Sequence, residues 1–304
     1  MEFGVCLPSA GAKATVENIV TVARWAEDLG FHSLWVTDHV VLPLQVDSWY
    51  PYRSHGRWDY APNTNWLDPL LTLSWAGQAA PHCKLGTTIL VAPLRNPILL
   101  AKQAATLDYL TGGRLILGLG AGWMAEEFGL LGVSYEDRGR RAVEMAKLMR
   151  AFWSGETVQF DGQYWHIHDC QMYPRPANGT VPIYWGGHSE ASMRKVAQVG
   201  DGWHPTQIPL AELQAGVKRM REICEQYGRD PDSVPIIARP YDKYGVSAET
   251  LAAHQAMGVT HWIIDPIIKD PSLEILHEEM QRVAELVGLE PRRPLAAPQT
   301  AATS

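Results

Sequence analysis

A chain of 304 residues with 46% hydrophobic content is long enough for two ordinary domains or one large α/β barrel. Its net charge of −7 gives no electrostatic case for a nucleic-acid partner or an anionic membrane surface. No apolar run approaches a bilayer span, the chain opens directly on a strand pattern with no leader, and Cys6, Cys83, Cys170 and Cys224 form no C-x-x-C pair. Those features predict a cytoplasmic protein with reduced thiols, not a disulfide frame or a zinc site.

Apolar strand patterns and amphipathic helical patterns then alternate along the chain. In order they are strand 3–7, helix 16–29, strand 33–37, helix 69–80, strand 84–91, helix 97–110, strand 114–119 and helix 138–153. The second half continues with strand 182–185, helix 190–199, strand 202–204, helix 210–227, strand 234–238, helix 248–257, strand 261–265 and helix 273–287. Gly30, Gly200, Gly228, Gly258 and Gly288 each stand just past a helical run, where helices stop. Strict alternation of eight and eight predicts a (β/α)8 TIM barrel in the α/β class rather than an open sheet.

Two segments interrupt the rhythm, as inserted loops after strand 2 and before strand 5. Residues 43–66 carry Trp49, Tyr50, Tyr52, Trp58, Tyr60 and Trp66 among Pro, Ser, Arg and Asn. Residues 154–181 read as a hairpin, 158–160 and 164–167 around an Asp161-Gly162 turn. No repeat or linker divides the chain, so one domain over 1–290 is expected, with a disordered Pro- and Ala-rich tail from 291 to 304.

In a parallel barrel the chemistry belongs at the C-terminal strand ends. Those ends are Pro8-Ser9, Asp38-His39, Thr87-Thr88 onward to Pro93, Gly120 to Trp123, Gly186-Gly187-His188, His204-Pro205, Arg239 and Asp265. The run from Leu110 to Phe128 carries glycines at 118, 120 and 122, which let a flat or phosphorylated ligand approach the backbone. Its spacing largely refuses a dinucleotide fingerprint: counted from Gly118, G-x-G-x-x-G needs glycine where Trp123 stands, and counted from Gly120 only the looser variant fits, with Ala125 in the last place. Twelve tryptophans exceed the needs of a core and point to an aromatic pocket.

The ordered set Thr37-Asp38-His39, Leu85-Gly86-Thr87-Thr88, Asn96-Pro97, Ala101-Lys102, Thr106-Leu107-Asp108, Gly112-Gly113-Arg114, Gly118-Leu119-Gly120-Ala121-Gly122-Trp123 and Glu127-Phe128 resembles the luciferase-like monooxygenase superfamily. The likeness continues through Phe160-Asp161-Gly162, Pro174-Arg175-Pro176, Pro182-Ile183, Gly186-Gly187 and Gly200-Asp201-Gly202-Trp203, and more weakly to Gly288. Within it the chain is more similar to the branch that depends on the deazaflavin coenzyme F420. The resemblance implies a barrel, usually a homodimer, that binds reduced FMN or F420 in its mouth.

It also implies roles. His39 is the expected catalytic group, since imidazole exchanges protons near neutral pH; the plainer reading is a surface histidine beside a capping Asp38. Asp38, Thr87, Thr88 and Ile89 are expected at the cofactor ring, with a non-prolyl cis bond at Thr88-Ile89; two β-branched residues in an ordinary strand are the alternative. Gly120, Ala121 and Gly122 are expected to border the ring, or only to let helix and strand pack. Gly186, Gly187 and His188, opening onto Ser189, suit the cofactor phosphate as exposed amides at a helix start, or form a plain turn capped by Ser189.

Trp49, Trp58 and Trp66 in the aromatic loop, with Trp123 and His204, are the expected substrate contacts, although the loop also suits a dimer interface. Trp123 stands where deazaflavin sugar dehydrogenases of this fold carry a glutamate. Glu126 and Glu127 read as helix-start residues that favour the dipole. His166-x-His168 lies in the hairpin with no carboxylate cluster, so no metal is expected. The expected activity is an F420-dependent oxidoreductase acting on a small, apolar or aromatic molecule. The alternatives are an FMN-dependent monooxygenase fed by a separate flavin reductase, and a non-catalytic flavin-binding barrel.

Overall fold

Residues 1–240, 246–265 and 272–292 are described by a computed structural model; most of the expected disordered tail, from 293 on, lies outside them. The first strand, β1 (Glu2–Cys6), lies between β2 (Ser33–Val36) and β11 (Val259–Ile264), and all pairings are parallel. The sheet continues from β2 to β3 (Lys84–Thr87), and β5 (Leu115–Gly120) pairs with both β3 and β4 (Leu90–Val91). From β5 it passes to β8 (Ile183–Gly186), β9 (Gly202–His204) and β10 (Ile236–Ala238), which returns to β11. The sheet therefore closes into the expected eight-stranded barrel, with β3 and β4 as two pieces of one staircase.

The strands are buried on both faces, as a parallel sheet wrapped by helices requires. The outer layer runs through α1 (Val16–Asp28), α2 (Pro69–Ala79), α3 (Pro97–Leu110), α5 (Arg138–Trp153), α6 (Glu190–Val199), α7 (Leu210–Gln226), α8 (Ala248–Ala256) and α9 (Leu273–Val287), plus the short α4 (Ala125–Leu130). Their starts follow local chemistry. Thr15, Asp68, Asn96, Ser189, Ser247 and Ser272 each accept a hydrogen bond from an amide of the first turn, and Pro69 and Pro97 occupy first positions. Among the expected stops, Gly288 is left-handed (φ 66°), whereas Gly200 is not (φ −84°). Inside the barrel, Trp35 packs with Cys6, Ile116, Ile237 and Ile263. Its indole donates to Ser33 Oγ at 2.7 Å, and that hydroxyl meets His261 Nε2 at 2.7 Å.

Two expectations need correction. The third strand is not continuous over 84–91, because a cis peptide at Thr88-Ile89 separates β3 from β4. The hairpin exists, as β6 (Val158–Asp161) and β7 (His166–Cys170), but Asp161 pairs with His166, so its loop is longer than a two-residue turn. The physical reason lies on α5: Glu144 accepts from the amides of Gln163, Tyr164 and Trp165 at 2.8–2.9 Å and so fixes the wider loop. His166 and His168 both meet the Asp161 carboxylate on this exposed hairpin, away from the strand ends.

Candidate active site at the barrel mouth

His39 follows β2 and is 8% exposed. Its Nδ1 lies 3.0 Å from Glu127 Oε2, and Glu127 itself is 2% exposed. The other Glu127 oxygen accepts from the amides of Val40 and Val41 at 2.6 and 3.2 Å. A carboxylate only accepts, so Nδ1 holds the proton and Nε2 is the nitrogen left for a ligand. Glu127 is therefore more than the helix-start residue expected of it. Its neighbour Glu126 accepts from Asp47 and Ser48 amides at 2.7 and 2.9 Å, and burial opposed by these hydrogen bonds leaves its carboxyl below the ordinary value. Two successive glutamates of α4 thus tie down both His39 and the start of the aromatic loop. The available signal was an acidic pair one turn beyond a glycine-rich strand end; what it touches, 88 residues earlier, was not in the sequence.

The loop 43–66 folds over His39 as a strap. Its far end is pinned by Gly11 N to Asn65 O and Leu67 N to Ser9 O, each 2.9 Å. Ring centroids of Trp66, Trp58 and Trp123 stand 4.7, 4.9 and 6.1 Å from that of His39, with Tyr50 against Trp58 and Trp123 at 5.2 and 4.9 Å. Offset and edge-on rings at these separations attract one another beyond the area they bury. Three of the expected substrate contacts, Trp58, Trp66 and Trp123, are thereby gathered. Trp49 is not: it is 66% exposed and packs on the strap's own turn at Gly56.

The placement of Asp38 also differs from a ring contact. Its carboxylate takes Arg95 Nη1 and Nη2 at 2.6 and 2.7 Å and the Val91 amide at 2.9 Å, which clamps the end of β2 to β4. Thr87 donates to the Gly118 carbonyl at 2.9 Å. Ile89 fills the space that glycines leave: a Cβ on Gly120, Gly186 or Gly118 would lie 2.7, 2.9 or 3.2 Å from its side chain. Gly122 faces Phe128 and Val91, and Ala121 packs against the core. The glycines at the end of β5 therefore make room for protein side chains first, and the mouth is shaped by the Ile89 bulge they admit.

Gly187 (φ 95°) turns the chain into α6, where Ser189 Oγ accepts from the Ser192 amide at 3.2 Å. His188 is half-buried, its pKa lowered chiefly by burial, and Tyr52 of the strap stands 6.2 Å away edge-on. His204 is fully buried inside the barrel, edge-on to Trp35 at 5.2 Å. Burial, against a 2.7 Å bond from Nδ1 to the Ile237 carbonyl, pushes its pKa down to about 3.

That shift has a measurable consequence. The unfolded imidazole protonates near pH 6.5 and the folded one near 3, so stability is full above 6.5 and declines as pH falls toward 3. The slope from this residue approaches about 1.4 kcal/mol per pH unit. Urea melts at about pH 7, 5.5 and 4.5 should show it, and a His204→Asn variant should lose that share of the slope; an unchanged slope contradicts the assignment.

Buried polar atoms in folded proteins nearly always have partners. Here Trp58 Nε1, Trp66 Nε1, Thr88 Oγ1, His188 Nε2, His204 Nε2 and Asp265 Oδ1 have none among the described residues. These six belong to strand ends or to the strap; His32 Nδ1, Glu126 Oε2 and Trp185 Nε1 are likewise unpaired among the described residues. Such a set, beneath a roof of aromatic rings, fits a flat polar ring system.

The sequence profile of the luciferase-like monooxygenase family matches residues 1–241. The chain is 30% identical over 250 residues to an F420-dependent glucose-6-phosphate dehydrogenase of Amycolatopsis mediterranei, covering 77% of this chain and 69% of that one. Its fold is similar to an F420-dependent secondary alcohol dehydrogenase (TM-score 0.72, 19% identity, 95% and 98% of the two chains). It is equally similar to the EDTA monooxygenase of Chelativorans sp. BNC1 (TM-score 0.73, 13% identity, 96% and 95%). Among the described residues no helix is long and apolar enough to cross a membrane. With a profile match over most of its length and a closed parallel barrel whose mouth holds a buried histidine, the chain belongs to the luciferase-like monooxygenase family.

Proposed function

We propose that the protein is an F420-dependent oxidoreductase acting on a small organic molecule that fits beneath the aromatic strap. The observation that carries the reading is the buried His39–Glu127 pair among Trp58, Trp66 and Trp123 at the strand ends. The relatedness to F420-dependent dehydrogenases supports the choice of coenzyme. When bound, the deazaflavin would supply or accept the hydride. Thr88, Ile89 and His188 would hold it, with Gly186 and Gly187 at the α6 start suited to a phosphate.

The chain's own residues account for the rest. Glu127 keeps the Nδ1 proton in place, so His39 takes a proton from substrate, or returns one, at Nε2. The strap excludes water and offers ring faces and edges to an apolar or aromatic substrate. The reading includes a homodimer, supported by Leu71 and Trp75, exposed one turn apart on α2.

A second reading is an FMN-dependent monooxygenase served by a separate reductase; the family's monooxygenase members support it. Fluorescence titration with F420 and with FMN separates the two. Micromolar or tighter F420 binding, with FMN at least about 100-fold weaker (about 2.7 kcal/mol), is expected. The opposite preference, with oxygen consumed when reduced FMN is supplied, would favour the second reading.

A further inference from the structure

Four strand ends meet at Arg239, the residue after β10, which is 7% exposed. Its Nη1 reaches across the mouth to the Thr88 carbonyl at 3.0 Å, on the staircase diametrically opposite. Its Nε, at 2.7 Å, and its Nη2 both donate to a single Asp265 oxygen, Oδ2. Asp265 Oδ1 is left buried and without a partner among the described residues.

Beside it, His204 Nδ1 faces the Ile237 carbonyl. A carbonyl only accepts, so this nitrogen is protonated and Nε2 is a bare acceptor, also buried and unpartnered. The Thr88 hydroxyl is the third such group. The floor of the mouth thus holds two acceptors without donors, one hydroxyl and one guanidinium.

We propose that Arg239, Asp265, His204 and Thr88 form a subsite that reads the edge of a flat heterocycle in which N–H and C=O groups alternate, an imide or ureide. The acceptors take the ring N–H, while Arg239 and the Thr88 hydroxyl donate to the carbonyls beside it. An apolar edge would leave both acceptors unpaired, and an anionic edge would face the Asp265 carboxylate, so a neutral donor–acceptor edge is selected. The inference rests on the cofactor reading above, because deazaflavin and flavin rings both carry a pyrimidinedione edge, and it assigns that edge to these residues.

The test compares dissociation constants for whichever cofactor the intact protein binds, F420 or FMN, with those for its N3-methyl derivative. Methylation should weaken binding at least tenfold in the unaltered protein, and Asp265→Asn should reduce that discrimination to less than threefold. Equal affinity for the parent and methylated rings would overturn the subsite while leaving the cofactor reading intact. Failure of both F420 and FMN to bind would overturn the cofactor reading and this subsite together. The methylated ligand needs no substitution, so the test does not depend on a variant that folds.

Discussion

Replacing His39 by alanine is expected to lower turnover by a factor of about 10²–10⁴ while cofactor affinity changes by less than about threefold. The split follows from geometry: the ring stands within the aromatic cluster and is held from behind by Glu127. Glu127→Gln is the sharper probe. Oε1 must still accept from Val40 and Val41, so the new amide group would face Nδ1 and donate to it. The neutral imidazole would then carry its proton on Nε2, the wrong nitrogen to accept one from substrate. Turnover should fall by about two orders of magnitude with the fold intact. A non-catalytic barrel would show neither effect, and unchanged single-turnover rates in both variants would sink the catalytic role.

The second large effect concerns stability. Asp38 contributes a side chain with no exposed surface and Arg95 one that is 14% exposed; among the described residues the other anion near that guanidinium is Asp68 at 3.6 Å, which is 45% exposed. Breaking a buried pair by removing one partner strands the other charge and costs about 3–5 kcal/mol. Asp38→Ala should therefore lose roughly that amount in urea denaturation. Arg95→Met should behave similarly, and Asp38→Leu combined with Arg95→Met should lose less than the sum of the two single changes. If Asp38→Ala instead kept its stability and lost cofactor affinity, the carboxylate would be a direct ring contact after all.

These two neighbours show how far the sequence reaches. Asp38 and His39 could both be placed at a strand end from periodicity alone, because alternation of strand and helix decides which residues a barrel brings to its mouth. Their division of labour was not legible. Each is defined by a partner far along the chain, Arg95 for one and Glu127 for the other, and no local pattern encodes a contact across 57 or 88 residues. The strap shows the same limit: its tryptophans are equivalent in the sequence, yet Trp58 and Trp66 pack on His39 while Trp49 stands in solvent.

By itself, then, the sequence determined the alternation of elements, the caps that start the helices, the closed parallel barrel and the end at which its chemistry gathers. All of these follow from local propensity and hydrophobic period. The tertiary structure alone decided which polar groups are satisfied within the protein and which await a ligand. Burial and pairing are properties of the assembled mouth, where Glu127 claims one nitrogen of His39, Arg95 claims Asp38, and buried polar atoms of Thr88, His204 and Asp265 have no partner among the described residues.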